Sequence, residues 1–255
     1  MSVAEPVGLR RAVFPLELFF DLRPPPDLLA FAQHTGLPEQ PDDSEADPLN
    51  ASGACTSVIV GPHDRTAVTV HAGIQHGIQI RLDPFGAYSL LRMPLHLISN
   101  QLLDFDTVLD IRLSERTAAA RTWTRRAAVL DTVLARRIAR GPQPDRAVEW
   151  AWHRLRATSG RARVAALADR IGWTPRRLTR RFRDQVGLPP KTVARIFRFE
   201  RAAALLASMR PLSDIAVESG YSDQAHLTRE LRALTGRTPS DLRSHSFKPG
   251  LRPSA

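Results

Sequence analysis

Apolar positions along the chain follow one period in the N-terminal part and another in the C-terminal part. From residue 13 they fall in short β-branched or aromatic runs, "VFPLELFFDL", "CTSVIVG" and "TAVTVHAG". Ile74, His76, Ile78, Ile80 and Leu82 then alternate with Gln75, Gly77, Gln79 and Arg81, the period-two pattern of a half-buried strand. Between the first run and the second lies "TGLPEQPDDSEADPLNASGA", polar and proline-rich, which reads as a mobile loop. After "LDPFGAYSLLRMP" the spacing turns helical, with Trp123, Ala127, Leu130, Leu134 and Ile138 recurring every three to four residues. "GPQPD" at 141–145 breaks that helix, and a further helix over roughly 145–158 leads through "TSGR" into a helical remainder. The pattern predicts an α+β chain, strand-rich first and all-helical afterwards.

Within the helical part, "GWTPRRLTRRFRDQVG" at 172–187 packs five arginines into eight positions, with Leu178 and Phe182 threaded between them. A run of like charge on a helix is commonly only a solvated face. Here the segment is one copy of a repeat: "LADRIGWTPRRLTRRF" at 167–182 matches "IAVESGYSDQAHLTREL" at 215–231. Leu167-Ala168 and Gly172-Trp173-Thr174 answer to Ile215-Ala216 and Gly220-Tyr221-Ser222, and both copies end on Leu-Thr-Arg-x-apolar. The offset is 48 residues and becomes 49 after one inserted position. Each copy reads as a helix-turn-helix: the alanine permits close helix approach, the glycine closes the first helix in a left-handed cap, and the hydroxyl residue caps the second. Pro175 stands at the first helical position, where a missing N–H is harmless. Leu178 and Phe182 are expected in the core, leaving Arg176, Arg177, Thr179, Arg180 and Arg183 on exposed or flanking faces, with Arg181 partly covered.

Charge sharpens the division. Residues 1–110 hold 6 Arg against 14 Asp and Glu, net −8, whereas residues 111–255 hold 30 Lys and Arg against 12 acids, net +18. Such asymmetry favours nucleic acid or an anionic membrane as partner of the C-terminal half over a general solubility role. Cys55 is the only cysteine, so neither a disulfide framework nor a cysteine zinc site is expected, in keeping with a cytoplasmic location. No stretch reaches ~18 apolar residues and the N-terminus lacks a signal-peptide pattern, so no membrane association is expected.

Residues 161–245 resemble the DNA-binding domain of the AraC family of bacterial transcription regulators, two helix-turn-helix units joined by a long helix. The joining and closing segments appear as "GLPPKTVARIFRFERAAALLAS" and "SGYSDQAHLTRELRALTGRTPSDLR", with Leu231 and Leu242 where the family usually has aromatics. The stretches "GIQIRLDPFGAYSLLRMPLHLISNQLLDFDTVLD" and "RTWTRRAAVLDTVLARRI" also resemble the sensor and connector regions of an actinobacterial subgroup. The resemblance implies double-stranded DNA as partner. It also implies base contacts from Arg176, Thr179 and Arg180 in the first recognition helix and from Gln224, Thr228 and Arg229 in the second. Arginine suits guanine O6 and N7, and glutamine suits adenine N6 and N7. Arg177, Arg183, Lys191 and Arg195 are assigned to phosphates. A joining helix over 191–208 would be ~27 Å long, close to the ~34 Å between successive major-groove faces.

The expected organisation is thus a sensor or oligomerisation domain with a helical connector over 1–140, a linker helix region over 141–160, the DNA-binding domain over 161–245 and a disordered tail over 246–255. The first is expected to be a degenerate cupin-like β fold that takes a small organic effector or pairs two subunits through the helix from Trp123 to Ile138. RNA polymerase is a further partner if the protein activates. His63, His71 and His76 raise the question of a cupin-like metal site, but no carboxylate lies at ligand spacing and His76 suits a strand core. No cofactor, metal or catalytic residue is therefore expected. The alternative is a cupin-type metal-dependent enzyme fused to a DNA-binding domain; the single cysteine argues strongly against a DNA-repair methyltransferase.

Overall fold

The computed structural model describes residues 16–21, 32–33, 57–64, 69–70, 77–109, 111–208 and 210–244. Two compact units divide mainly between Pro144 and Asp145. The long polar loop, Cys55, His71, His76 and the tail over 246–255 lie outside the described residues.

In the first unit β1 (Leu16–Asp21), β3 (Ser57–Val60), β5 (Gly77–Leu82) and β6 (Leu102–Asp104) form an antiparallel sheet in the order β5-β1-β3-β6. The register sets Leu18 opposite both Ile80 and Ile59, and Ile59 opposite Leu103. β2 (Ala32–Gln33) and β4 (Thr69–Val70) make a separate two-stranded ribbon. On β5 Ile78 and Ile80 are half-buried while Gln79 and Arg81 are exposed, as period two requires.

Helix begins earlier than the apolar spacing suggests. α1 (Pro84–Leu91) lies inside "LDPFGAYSLLRMP", started by the Asp83 carboxylate, which accepts from the Phe85 and Gly86 amides at 2.9 and 3.0 Å. Aspartate followed by proline at the first helical position is a start signal that the apolar period does not carry. α2 (Phe105–Leu109) and α3 (Leu113–Ala119) are short, and α4 (Trp123–Ala139) packs on α1 and α3. Ile59, Leu90, Leu95, Phe105, Leu113, Leu130 and Leu134 form the core of this unit. Trp123, at the head of the α4 stripe, is 50% exposed and carries the Arg126 guanidinium 4.9 Å from its ring centre.

Among the described residues from 145 on, every element is a helix: α5 (Arg146–Ala157), α6 (Val164–Ile171), α7 (Pro175–Val186), α8 (Pro190–Leu206), α9 (Leu212–Glu218), α10 (Gln224–Thr235) and α11 (Pro239–Ser244). α5, foreseen as part of a linker, buries Val148, Ala151, Trp152 and Leu155. Its Trp152 ring lies 6.3 Å from Phe182 of α7 and 5.1 Å from Phe197 of α8. Gly160 lets the following turn approach α8: a Cβ there would stand 1.9 Å from the Ala194 carbonyl oxygen, and φ is +73°. Leu231 and Leu242 are buried among Phe199, Leu206, Ile215, Tyr221 and Leu227, so leucine fills both positions. Among the described residues no helix is long and apolar enough to cross a membrane.

Candidate nucleic-acid interface

The two repeat copies fold by the same local rules. Gly172 ends α6 at φ +75°, and the Trp173 amide bonds to the Ala168 carbonyl at 2.9 Å. Gly220 follows α9 at φ +81°, and the Tyr221 amide bonds to the Ala216 carbonyl, also at 2.9 Å. These six-to-one closures satisfy carbonyls at the helix end and turn the chain into the second helix of each pair. Ala168, Leu178 and Phe182 in the first copy, and Ala216, Leu227 and Leu231 in the second, are fully buried.

The caps differ. Thr174 Oγ1 accepts from the Arg177 amide at 3.2 Å, as the repeat predicts. In the second copy the hydroxyl residue, Ser222, is not the cap: Asp223 accepts from the His226 amide at 2.7 Å, and the Ser222 hydroxyl donates to Asp223 at 3.0 Å. The inserted position is thus Asp223, whose carboxylate takes the cap and meets the positive end of the helix dipole. That amide, followed by the Ser222 hydroxyl, holds the Asp223 carboxyl below its ordinary value.

α7 presents Arg176, Arg180 and Arg183 at i, i+4 and i+7, all exposed and none paired with a carboxylate among the described residues. Thr179 is half-buried between them. Arg177 is exposed at its tip and lies over the Trp173 ring at 4.4 Å, which orients its guanidinium without neutralising it. Arg181, expected to be partly covered, is half-buried and reaches Asp145 at 3.5 Å.

α10 is less charged. Gln224, Ala225 and Arg229 are exposed in its first turns, and half-buried Thr228 donates its hydroxyl to the Gln224 carbonyl at 2.9 Å. Its Glu230 receives Arg195 Nε of α8 at 2.6 Å, so this guanidinium, assigned above to phosphate, is held by a carboxylate. Lys191 is exposed in the first turn of α8. Glu218, at the end of α9, takes both Arg210 and Arg201, and these two hydrogen bonds hold its carboxyl below the ordinary range. Tyr221, the counterpart of Trp173, is buried, and burial pushes its hydroxyl up to about 12, so it packs as a neutral ring.

In the first unit His63 is buried with Nδ1 2.5 Å from the Gly61 carbonyl oxygen. Among the described residues no three His, Cys, Asp or Glu side chains converge.

Residues 167–245 match the family described as a helix-turn-helix domain. Over 82 residues the chain is 29% identical to the arabinose operon regulatory protein of Salmonella typhimurium, an overlap of 32% of this chain and 29% of that one. The Escherichia coli protein of the same name matches at 29% identity over 82 residues, 28% of its length. The chain therefore spans less than a third of the curated relatives it matches. The C-terminal domain of AraT, a response regulator from Geobacillus stearothermophilus, is similar at a TM-score of 0.39 and 20% identity, covering 44% of this chain and 94% of that one. ToxT from Vibrio cholerae is similar at a TM-score of 0.44 and 10% identity over 91% and 90% of the two chains.

Proposed function

With residues 167–245 identified as a helix-turn-helix domain of the AraC type, we propose that the protein is a sequence-specific DNA-binding transcription regulator that lays α7 and α10 in adjacent major grooves. The carrying observation is the repeated turn itself, which presents an unpaired arginine stripe on α7 and the polar face of Gln224, Thr228 and Arg229 on α10. α8 has 17 residues, ~26 Å at ~1.5 Å each, which suits grooves ~34 Å apart on one side of the duplex.

Arg176, Thr179 and Arg180 read bases from α7, and Gln224, Thr228 and Arg229 from α10. Arg177, Arg183 and Lys191 hold phosphates, and Arg195 joins them once DNA phosphate competes with Glu230. α5 belongs with this DNA-binding body because Trp152 covers Phe182 and Phe197. The first unit is a cupin-like sensor in this reading and takes a small organic effector; the alternative role is pairing of two subunits through the helix from Trp123 to Ile138, whose Trp123 is exposed. RNA polymerase is the partner where the outcome is activation, and the setting is the cytoplasm.

Titrating duplex DNA with the full chain at several salt concentrations tests the reading. The logarithm of affinity should fall linearly with that of salt, with a slope of about −0.9 per phosphate contact. Salt-insensitive binding, or none by folded protein, would refute it.

A further inference from the structure

α4 carries a second stripe, separate from its buried leucines. Arg125, Val129, Val133, Arg136 and Arg140 follow one another at helical spacing and line a cleft of some 730 Å³. Ile111 joins Val129 and Val133 as a half-buried apolar floor. Arg116 of α3 and Arg92, just after α1, add cations to its walls. The cations collect at two ends. α3 runs to Ala119 and α4 starts at Trp123, so Arg116 belongs with Arg125. Arg92 Nη2 reaches the Arg137 carbonyl oxygen (3.5 Å), which groups it with Arg136 and Arg140. From Arg125 to Arg136 the helix advances ~16 Å.

Among the described residues Arg116, Arg125, Arg136 and Arg140 have no carboxylate partner, and no acidic residue lines the cleft. Cations in the last turn of α4 are favoured by the helix dipole, but Arg125 stands in the first turn, where the dipole opposes it and no acid offsets it. Arg92 adopts φ +58°, a left-handed conformation that suits glycine, yet an arginine is placed there. A second copy laid on the stripe would set arginine against arginine. The volume is that of a small-molecule site.

We propose that this cleft binds an elongated organic dianion, with an anionic group at each arginine cluster and an apolar body over Ile111, Val129 and Val133. The inference rests on the reading of the first unit as a sensor and names the chemistry of its effector.

The test is calorimetric titration of the full chain with dodecanedioate, succinate and inorganic phosphate. It is repeated on Arg116→Ala/Arg125→Ala and Arg136→Ala/Arg140→Ala, with Arg112→Ala/Arg121→Ala removing equal charge outside the cleft. Dodecanedioate should bind saturably at one per chain and more tightly than the two short anions. Either cleft pair should lower its affinity about tenfold or more, and the control pair less than about twofold. Absence of saturable binding, equal binding of succinate or phosphate, or equal loss in the control pair would overturn the proposal. DNA affinity measured in parallel by anisotropy separates the two readings: saturable, variant-sensitive binding that leaves DNA affinity unchanged upholds the cleft and overturns the sensor role.

Discussion

The two helix-turn-helix copies share turn geometry and buried leucines but treat charge in opposite ways. Around α7, among the described residues, only Arg181 reaches a carboxylate, that of Asp145: Arg176, Arg180 and Arg183 face solvent, and Arg177 rests on an aromatic ring. Around α10 charge is cancelled locally, Arg195 by Glu230, and Arg201 and Arg210 by Glu218, while an aspartate occupies the cap. Equivalent positions diverge in burial: Trp173 is half-buried with the Arg177 guanidinium 4.4 Å from its ring centre, whereas Tyr221 is buried with that of Arg198 at 5.7 Å. One scaffold thus carries one copy with an unneutralised basic face and another whose polar face has little net charge. In this account affinity and its salt dependence come mainly from the first, and discrimination comes from both.

The largest expected effect concerns what holds the first copy together. Trp152→Ala should destabilise the second unit by about 3–5 kcal/mol in equilibrium unfolding, because it uncovers Phe182 and Phe197. A loss below about 1 kcal/mol would mean that α5 is a passive linker. Next, Arg180→Ala should cost about 1–3 kcal/mol of binding and relax preference at one base position, whereas Arg183→Ala should weaken all sequences alike and flatten the salt slope by about one. If both behave as Arg183 does, α7 does not read bases. Thr174→Ala, which removes the cap of α7, should lower stability by about 1 kcal/mol, an effect read from thermal denaturation.

The smallest effect separates the caps by pH. The Asp223 carboxyl is lowered from 3.8, so its contribution is complete above that ordinary value and is lost as pH falls through the lower folded value. Protection of the His226 amide should therefore decline only at strongly acidic pH, while that of Arg177, capped by the Thr174 hydroxyl, should not follow the same titration. Parallel loss at both amides would show that the caps are not distinct.

Much of the second unit was legible because its signals are local. Gly172, Pro175, Leu178 and Phe182 each fix a turn, a start or a buried face within a few residues, and the repeat doubles the glycine and the buried positions. What was missed depends on contacts distant in sequence or on competition between neighbours. Nothing near Trp152 reveals that its partners are Phe182 and Phe197, 30 and 45 positions on. The Arg195 pair with Glu230 spans 35 residues and is equally silent in sequence. Matching the copies on their hydroxyl residues points to Ser222 as the cap, but a carboxylate at the inserted position, Asp223, is at least as good a cap and competes for it. In the first unit α1 was overlooked because nearly all of its residues are apolar or small, so its face has little contrast, and only Asp83-Pro84 marks its start.

If both copies read bases, selection of bound sequences from random duplex DNA by the full chain, by Arg180→Ala and by Gln224→Ala will separate their contributions. The unmodified chain should recover two sequence patches whose centres lie about 10 base pairs apart. Each variant should lose preference within one patch and keep the other. A single patch, or two variants that merely weaken recovery of every sequence equally, would contradict base reading by both copies.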